Sequence, residues 1–298
     1  MKSLFNILIY ISLVMGAPAY AITFPINGSV TVFGDIKTIT PQNGDTFSNY
    51  AHVYDVGAYA IQSANPGIDE NYPDKQKDQI IIPAAFILPT KQEGIVINLP
   101  ELRLYYFNQS QISTYPISIG RVGWKTPIRE TQVIEKITNP YWHVPKSILA
   151  EHAAKGRRIP KVVPPGPDNP LGKYALRLGI TGYLMHGTNA PTSIGRRVSH
   201  GCIRLFPTDI EELFHNVPVG TPVSLINEPV KAGWRGNELY LVVHPLLHEY
   251  PMSHDQLKAL VTDKINYALN GKQVNVNWDL VETMIKQQTG IVDRIAKE

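Results

Sequence analysis

The sequence predicts an α+β protein: a mainly-β, sandwich-like domain, preceded by a small βααβ unit and followed by an extension of one strand and two helices. Three observations carry this expectation. Between Glu93 and Asn227 the chain passes through short stretches rich in Val, Ile, Tyr and Thr, separated by glycine or polar turns. Before that stretch, Gly44-Asp45-Thr46 and Asn65-Pro66-Gly67 frame two short helical segments. After it, two apolar stripes of helical period follow Ser253 and Asn277.

The first segment, 1–21, reads as a secretory leader. Lys2 supplies one positive charge, Leu4 to Gly16 is apolar except for Asn6 and Ser12, and Ala19-Tyr20-Ala21 is a small-x-small cleavage site, so Ile22 is the expected mature N-terminus. The apolar run falls short of the roughly 20 residues that span a bilayer, and no cysteine follows it to accept lipid. The mature protein is therefore expected outside the cytoplasmic membrane with no retained membrane anchor. The net charge of +3 drops by one when Lys2 leaves, which is too small a balance to argue for nucleic acid. A chain of 298 residues with 43% hydrophobic and 18% charged residues is globular and exceeds one ordinary core.

In the second segment, 22–92, the expected order is strand, turn, helix, turn, helix, loop, strand. Asp45 or Thr46 can cap the first helix, Asn65-Pro66-Gly67 ends the second, and Ile80-Ile81-Ile82 opens the closing strand. The third segment, 93–228, contains the strands Gly94 to Leu99, Leu102 to Phe107, Ile112 to Ile119 and Thr131 to Thr138. A helix with a Thr208-x-x-Glu211 capping box and an apolar stripe at Ile210, Leu213 and Phe214 follows Pro207. The fourth, 229–298, holds a strand over Glu238 to Val243. Its first helix has Leu257, Leu260, Val261, Ile265 and Ala268 on one face, and its second has Trp278, Val281, Met284 and Ile285.

The chemistry concentrates around the only cysteine, Cys202. It sits in Ser199-His200-Gly201-Cys202-Ile203-Arg204, downstream of Met185-His186-Gly187-Thr188-Asn189. A thiol is mostly protonated at neutral pH, so a nucleophilic cysteine needs a base or cation beside it, and an imidazole can be both. His186 would end a strand, and Gly187 would let the chain turn away beside another backbone. Gly201 suits a tight turn whose amides could face a developing oxyanion. Arg204 would lie on the same side as Cys202 in an extended chain and could hold a carboxylate through two parallel hydrogen bonds.

The combination H-G-x(11)-S-H-G-C-I-R resembles the signature of the L,D-transpeptidase family, also called the YkuD or ErfK/YbiS/YcfS/YnhG family. Ile117-Ser118-Ile119-Gly120 with Thr126-Pro127, and the Pro164 to Gly172 segment, resemble further parts of that family. The 22–92 segment resembles a LysM module, a small binder of N-acetylglucosamine polymers, and the whole arrangement is most similar to periplasmic enzymes of Gram-negative bacteria. The resemblance implies Cys202 as nucleophile, His186 as its base, and the Gly187 carbonyl as the group orienting the imidazole. It implies substrate contacts from Arg204, Ser199, His200, Thr188 and Asn189, with no metal and no cofactor. The implied partners are peptidoglycan tetrapeptide stems and glycan strands. The stem is cleaved between the L-centre of diaminopimelate and D-alanine, and an amine takes the acyl group. That amine is either another diaminopimelate, giving a 3-3 crosslink, or a lysine of an outer-membrane protein. Carbapenems typically acylate such enzymes.

Other readings of the same residues stay open at this level. A hydrolase of the same fold would pass the acyl group to water, and a wall-binding protein would do no chemistry. Zinc at Cys202, His186 and His200 would lack the usual fourth ligand or carboxylate support. The basic run Lys155, Arg157, Arg158 and Lys161 is either a solvated face or a contact for stem carboxylates.

Overall fold

The computed structural model describes residues 22–25 and 30–298. The expected leader, 1–21, lies outside the described residues. Strand β1 (Ile22–Pro25) is followed by β2 (Val32–Ile39), helix α1 (Phe47–Val53), helix α2 (Ala58–Ala64) and β3 (Ile80–Ile87). β2 and β3 pair antiparallel along their full length, from Val32 opposite Ile87 to Ile39 opposite Ile80. Thr46 caps α1 by accepting the Asn49 amide at 3.2 Å, while Asn49 Oδ1 accepts the Thr46 amide at 2.9 Å. Asn65 ends α2 and fastens it to β3: its side-chain amide donates to the carbonyls of Ile61 and Ile81, and its oxygen accepts the Ile81 amide. Phe47, Tyr50 and Ile61 then pack on Ile80, Ile82 and Phe86.

β1 departs from the sequence expectation. Its backbone pairs antiparallel with a strand of the central sheet, with Ile22 opposite Thr114, while Ile22 and Phe24 pack on the core of the βααβ unit. Thr23 and Ser113 hydroxyls meet across that pair at 3.1 Å.

The central region runs β4 (Gly94–Asn98), β5 (Arg103–Phe107), β6 (Gln111–Pro116), β7 (Ile119–Gly120), β8 (Arg129–Thr138), β9 (Trp142–His143), α3 (Lys146–Ala154), β10 (Val162–Val163), β11 (Tyr174–Leu178), β12 (Leu184–His186), β13 (Arg197–Ser199), β14 (Ile203–Arg204), α4 (Pro207–Asn216) and β15 (Pro222–Ile226). Instead of two separate sheets, one nine-stranded sheet forms in the order β1-β6-β5-β4-β15-β8-β11-β12-β14. Its pairs are antiparallel except β4 with β15 and β12 with β14. Ile95, Leu104 and Tyr115 from one half share a core with Leu176, Met185 and Ile203 from the other, and Ile210 and Leu213 of α4 fill it. The sheet is therefore curled around α4, which keeps the mainly-β, α+β character.

The α4 capping box does not form. Pro207 occupies the first helical position with Phe206 as cap, because its fixed φ starts the helix before Thr208 can cap it. The Thr208 hydroxyl instead donates to Asp209 at 3.2 Å.

The last region contains β16 (Val230–Arg235), β17 (Glu238–Val243), α5 (His254–Leu269), α6 (Trp278–Gln287) and β18 (Asp293–Lys297). Ser253 and Asn277 cap the two helices. Leu257, Val261, Ile265, Val281, Met284 and Ile285 bury against the three-stranded sheet β16-β17-β18. Trp278 does not belong to that face; it is 49% exposed, at the first turn where the helix leaves the core. Lys231 of β16 holds the region to the central sheet: its ammonium lies 2.7 Å from Glu101 Oε2, and Tyr105 donates to the other oxygen at 2.6 Å. Arg235 reaches the βααβ unit, donating to the carbonyls of Val32 and Gly34.

Candidate active site

The candidate site lies at the β14 edge of the sheet. His186 is the last residue of β12, and Cys202 immediately precedes β14. These strands are parallel neighbours, with Met185 opposite Ile203 and His186 opposite Arg204. Two sequence segments separated by a long loop are thereby placed side by side by backbone pairing alone.

His186 is 3% exposed, and its Nδ1 lies 2.6 Å from the Gly187 carbonyl. A carbonyl only accepts, so Nδ1 carries the proton and Nε2 keeps its lone pair. A side chain at Gly187 would be crowded: a Cβ there would stand 3.2 Å from Ile210 Cγ2, and one on Gly172 would stand 3.2 Å from Gly187 Cα. The close approach of these two glycines seats the imidazole.

The turn before Cys202 is pinned from three sides. Gly201 has φ 112°, and a Cβ there would meet the Tyr183 ring at 3.0 Å. The Ser199 hydroxyl donates to the Cys202 carbonyl at 2.6 Å and accepts the Gly201 amide at 3.1 Å. The Thr126 hydroxyl donates to the Gly201 carbonyl at 2.9 Å and accepts the Gly120 amide at 3.0 Å. The Cys202 thiol itself donates to the Gly182 carbonyl at 3.6 Å.

Burial and one neighbouring charge set the protonation states. Burial, then the Arg204 guanidinium, brings His186 down to about 4, against hydrogen bonds to the carbonyls of Gly187 and Leu171. Burial pushes the Cys202 thiol up, against the Leu184 amide and the Arg204 charge. At neutral pH the two groups are thus uncharged, a thiol turned to the Gly182 carbonyl and a neutral imidazole on the neighbouring strand. Such a pair works by transferring the thiol proton to the ring as the sulfur attacks. Among the described residues, the buried Arg204 Nε has no hydrogen-bond partner.

Residues 92–225 match the family described as YkuD, the L,D-transpeptidase catalytic domain. The chain is 40% identical to the protein named "Probable L,D-transpeptidase YbiS" of Escherichia coli K12, over 93% of each chain. It is 42% identical to "Probable L,D-transpeptidase YcfS" of the same organism, over 79% of this chain and 76% of that one. The chain belongs to the L,D-transpeptidase family. Members of this family are enzymes, and among the described residues no helix is long and apolar enough to cross a membrane.

Within this L,D-transpeptidase, His186, Gly187, Cys202 and Arg204 come together, whereas several other expected contacts do not face a ligand. Ser199 is 1% exposed and its hydroxyl is consumed inside the turn, so it shapes the loop rather than binding substrate. The Gly201 amide is committed to Ser199, which removes it from an oxyanion hole. Thr188 is 4% exposed and its hydroxyl accepts the Ala190 amide at 3.0 Å, a turn-holding role. Asn189 is exposed. His200 packs edge-on against Trp124 with ring centroids 4.7 Å apart, and its Nε2 donates to Glu151 at 3.0 Å. Hydrogen bonds from Lys155, His200 and Arg121 hold Glu151 well below the usual carboxylate range. With its Nε2 turned to Glu151, His200 belongs to the α3 side of the site. Among the described residues no group of three His, Cys, Asp or Glu side chains is placed to hold a metal ion. Lys155 is the member of the basic run that pairs with Glu151; Arg157, Arg158 and Lys161 are exposed.

Sequence reasoning singled out Thr126 only through the Thr126-Pro127 resemblance, without its hydroxyl's role in the turn, and missed Tyr183 and Glu151. Thr126 carried a signal, since Thr-Pro after a glycine strand end marks a turn. Tyr183 and Glu151 carried none, because their roles depend on contacts across 18 and 49 residues of chain.

Proposed function

We propose that the chain is a peptidoglycan L,D-transpeptidase that works through a Cys202 thioester. Cys202 Sγ attacks the carbonyl at the L-centre of diaminopimelate in a tetrapeptide stem, and His186 Nε2 takes the thiol proton. The tetrahedral carbon then expels D-alanine, whose amine nitrogen receives that proton from His186. An acceptor amine resolves the thioester and restores the thiol. With the Gly201 amide occupied, the Cys202 amide is the oxyanion donor we assign. Arg204 receives a stem carboxylate. The single observation that carries this reading is the parallel pairing that sets a tautomer-fixed His186 beside the Cys202 turn, under the Arg204 charge.

The finer parts of the reading follow from sequence and element order. The βααβ unit over β2, α1, α2 and β3 acts as a LysM-like glycan-binding module, the β16 to β18 region is a packing extension, and residues 1–21 direct the enzyme to the periplasm. The acceptor is either a second diaminopimelate or a lysine of an outer-membrane protein.

The test uses disaccharide-tetrapeptide and meropenem. The wild type should release D-alanine and gain one covalent carbapenem adduct by intact mass, and Cys202→Ala should do neither while keeping its thermal transition. D-alanine release by Cys202→Ala would refute the mechanism. Acceptor identity is read from digested sacculi as 3-3 dimers or as stems bearing a protein remnant, and free tripeptide alone would identify a hydrolase.

A further inference from the structure

The backbone nitrogen of Ile22, at the start of β1, lies 3.3 Å from Asp55 Oδ2. Asp55 sits in the corner between α1 and α2 with φ 49°, is 3% exposed, and its other carboxylate oxygen, Oδ1, has no partner among the described residues. A second carboxylate, Asp209 of α4, is 2% exposed, interacts electrostatically with Asp55, and has an Oδ2 without a partner among the described residues. Arg103, the guanidinium near them, donates elsewhere: to the Asp55 backbone carbonyl at 2.8 Å and to the Thr114 hydroxyl at 3.1 Å. Its planar group lies 4.1 Å from the centre of the Phe86 ring. Two buried carboxylates thus share a junction with open oxygens and too little positive charge. Burial accordingly pushes the Asp55 carboxyl up to about 7, against Arg103 and the Ile22 amide.

The peptide bond before Ile22 is the one that Ala19-Tyr20-Ala21 marks for a signal peptidase. Its hydrolysis consumes one water: the C–N bond breaks, oxygen goes to the Ala21 carbonyl to give a carboxylate, and the Ile22 nitrogen gains protons to become an ammonium at neutral pH.

We propose that the Ile22 α-ammonium released by this cleavage is the missing counter-ion of Asp55, so that proteolytic processing itself completes the junction of β1, the α1–α2 corner and α4. One neutral amide donor becomes a charged group with three donors, already within reach of Oδ2. Ile22 pairs with Thr114, the residue whose hydroxyl accepts from Arg103, so the ammonium enters an existing network. Through Asp209 the same charge reaches α4, whose Ile210 lies against Gly187. This inference is independent of the acyl-transfer chemistry.

The experiment sequences the secreted protein from its N-terminus. It then compares the melting temperature of that protein with a chain carrying Gly-Ser before Ile22, each as wild type and as Asp55→Asn. The expected results are an N-terminus at Ile22, a melting temperature about 5 °C above that of the extended chain, and loss of the difference in Asp55→Asn. Should Asp55→Asn fail to fold, α-amine acylation of the two wild-type chains at neutral pH decides, with Ile22 expected to react about tenfold more slowly than the extended terminus. A different N-terminus, equal melting temperatures, a difference that survives Asp55→Asn, or equal acylation rates would each overturn the proposal.

Discussion

The two edges of the nine-stranded sheet treat buried charge in opposite ways. At the β14 edge, His186 has its Nδ1 proton bound by a carbonyl, and Arg204 stands near both His186 and Cys202. Burial there keeps both the imidazole and the thiol neutral, and the charge near them is the Arg204 guanidinium. At the β1 edge, Asp55 and Asp209 are buried with oxygens that have no partner among the described residues, and burial pushes both carboxyls up toward their neutral forms. An unpaired buried donor or acceptor is costly, so each edge is incomplete until something arrives. In the proposed function the first is completed by substrate, and in the proposed processing the second is completed by the chain's own N-terminus. The buried Lys231–Glu101 pair is the reference for a charge that is already matched: Lys231, His244 and Tyr105 outweigh the opposing burial and hold Glu101 down at about 2.

Substitutions at these places sharpen the contrast. The largest effect is expected at the β14 edge: His186→Ala should lower D-alanine release by more than about a thousandfold with little loss of binding, measured as kcat against KM. Removing half of the matched pair comes next. Lys231→Met strands Glu101 and should cost about 3–5 kcal/mol in denaturant unfolding, whereas the Lys231→Met, Glu101→Leu double variant should recover much of it. Gly201→Ala forces a side chain into the Tyr183 ring at φ 112° and should cost about 1–3 kcal/mol. The Tyr183→Ala background should absorb part of that cost and leave the backbone part. The smallest effect is a shift in pH dependence. His186 must be unprotonated to act as base, so activity should fall as pH drops through about 4. Arg204 lowers the imidazole, so Arg204→Met should move that acid limb upward and slow carbapenem acylation at neutral pH by removing a charge that favours thiolate.

What the sequence made legible was local. Helix starts at Thr46, Ser253 and Asn277 were readable because capping acts within three residues. The placement of the His186 and Cys202 segments on neighbouring strands was not readable from spacing; an unusual motif only drew attention to both. Strands β16 and β18 were not readable either, since each gains its identity from β17. The same holds for β1, a four-residue strand defined by Thr114 and its neighbours. Ser199, Thr188 and Gly201 looked like ligand contacts because hydroxyls and glycine amides beside a nucleophile suggest one. Folding spends those hydrogen bonds inside the turns, and only coordinates reveal which donors remain.

The central claim is that Cys202 rests as a thiol beside a neutral His186 rather than as a preformed thiolate–imidazolium pair. With one cysteine in the chain, the absorbance at 240 nm of wild type minus Cys202→Ala reports that thiolate alone. Followed from pH 4 to 10, the difference should stay flat through neutrality and rise only above the ordinary range of a free thiol. A band already present at pH 6 would contradict the account.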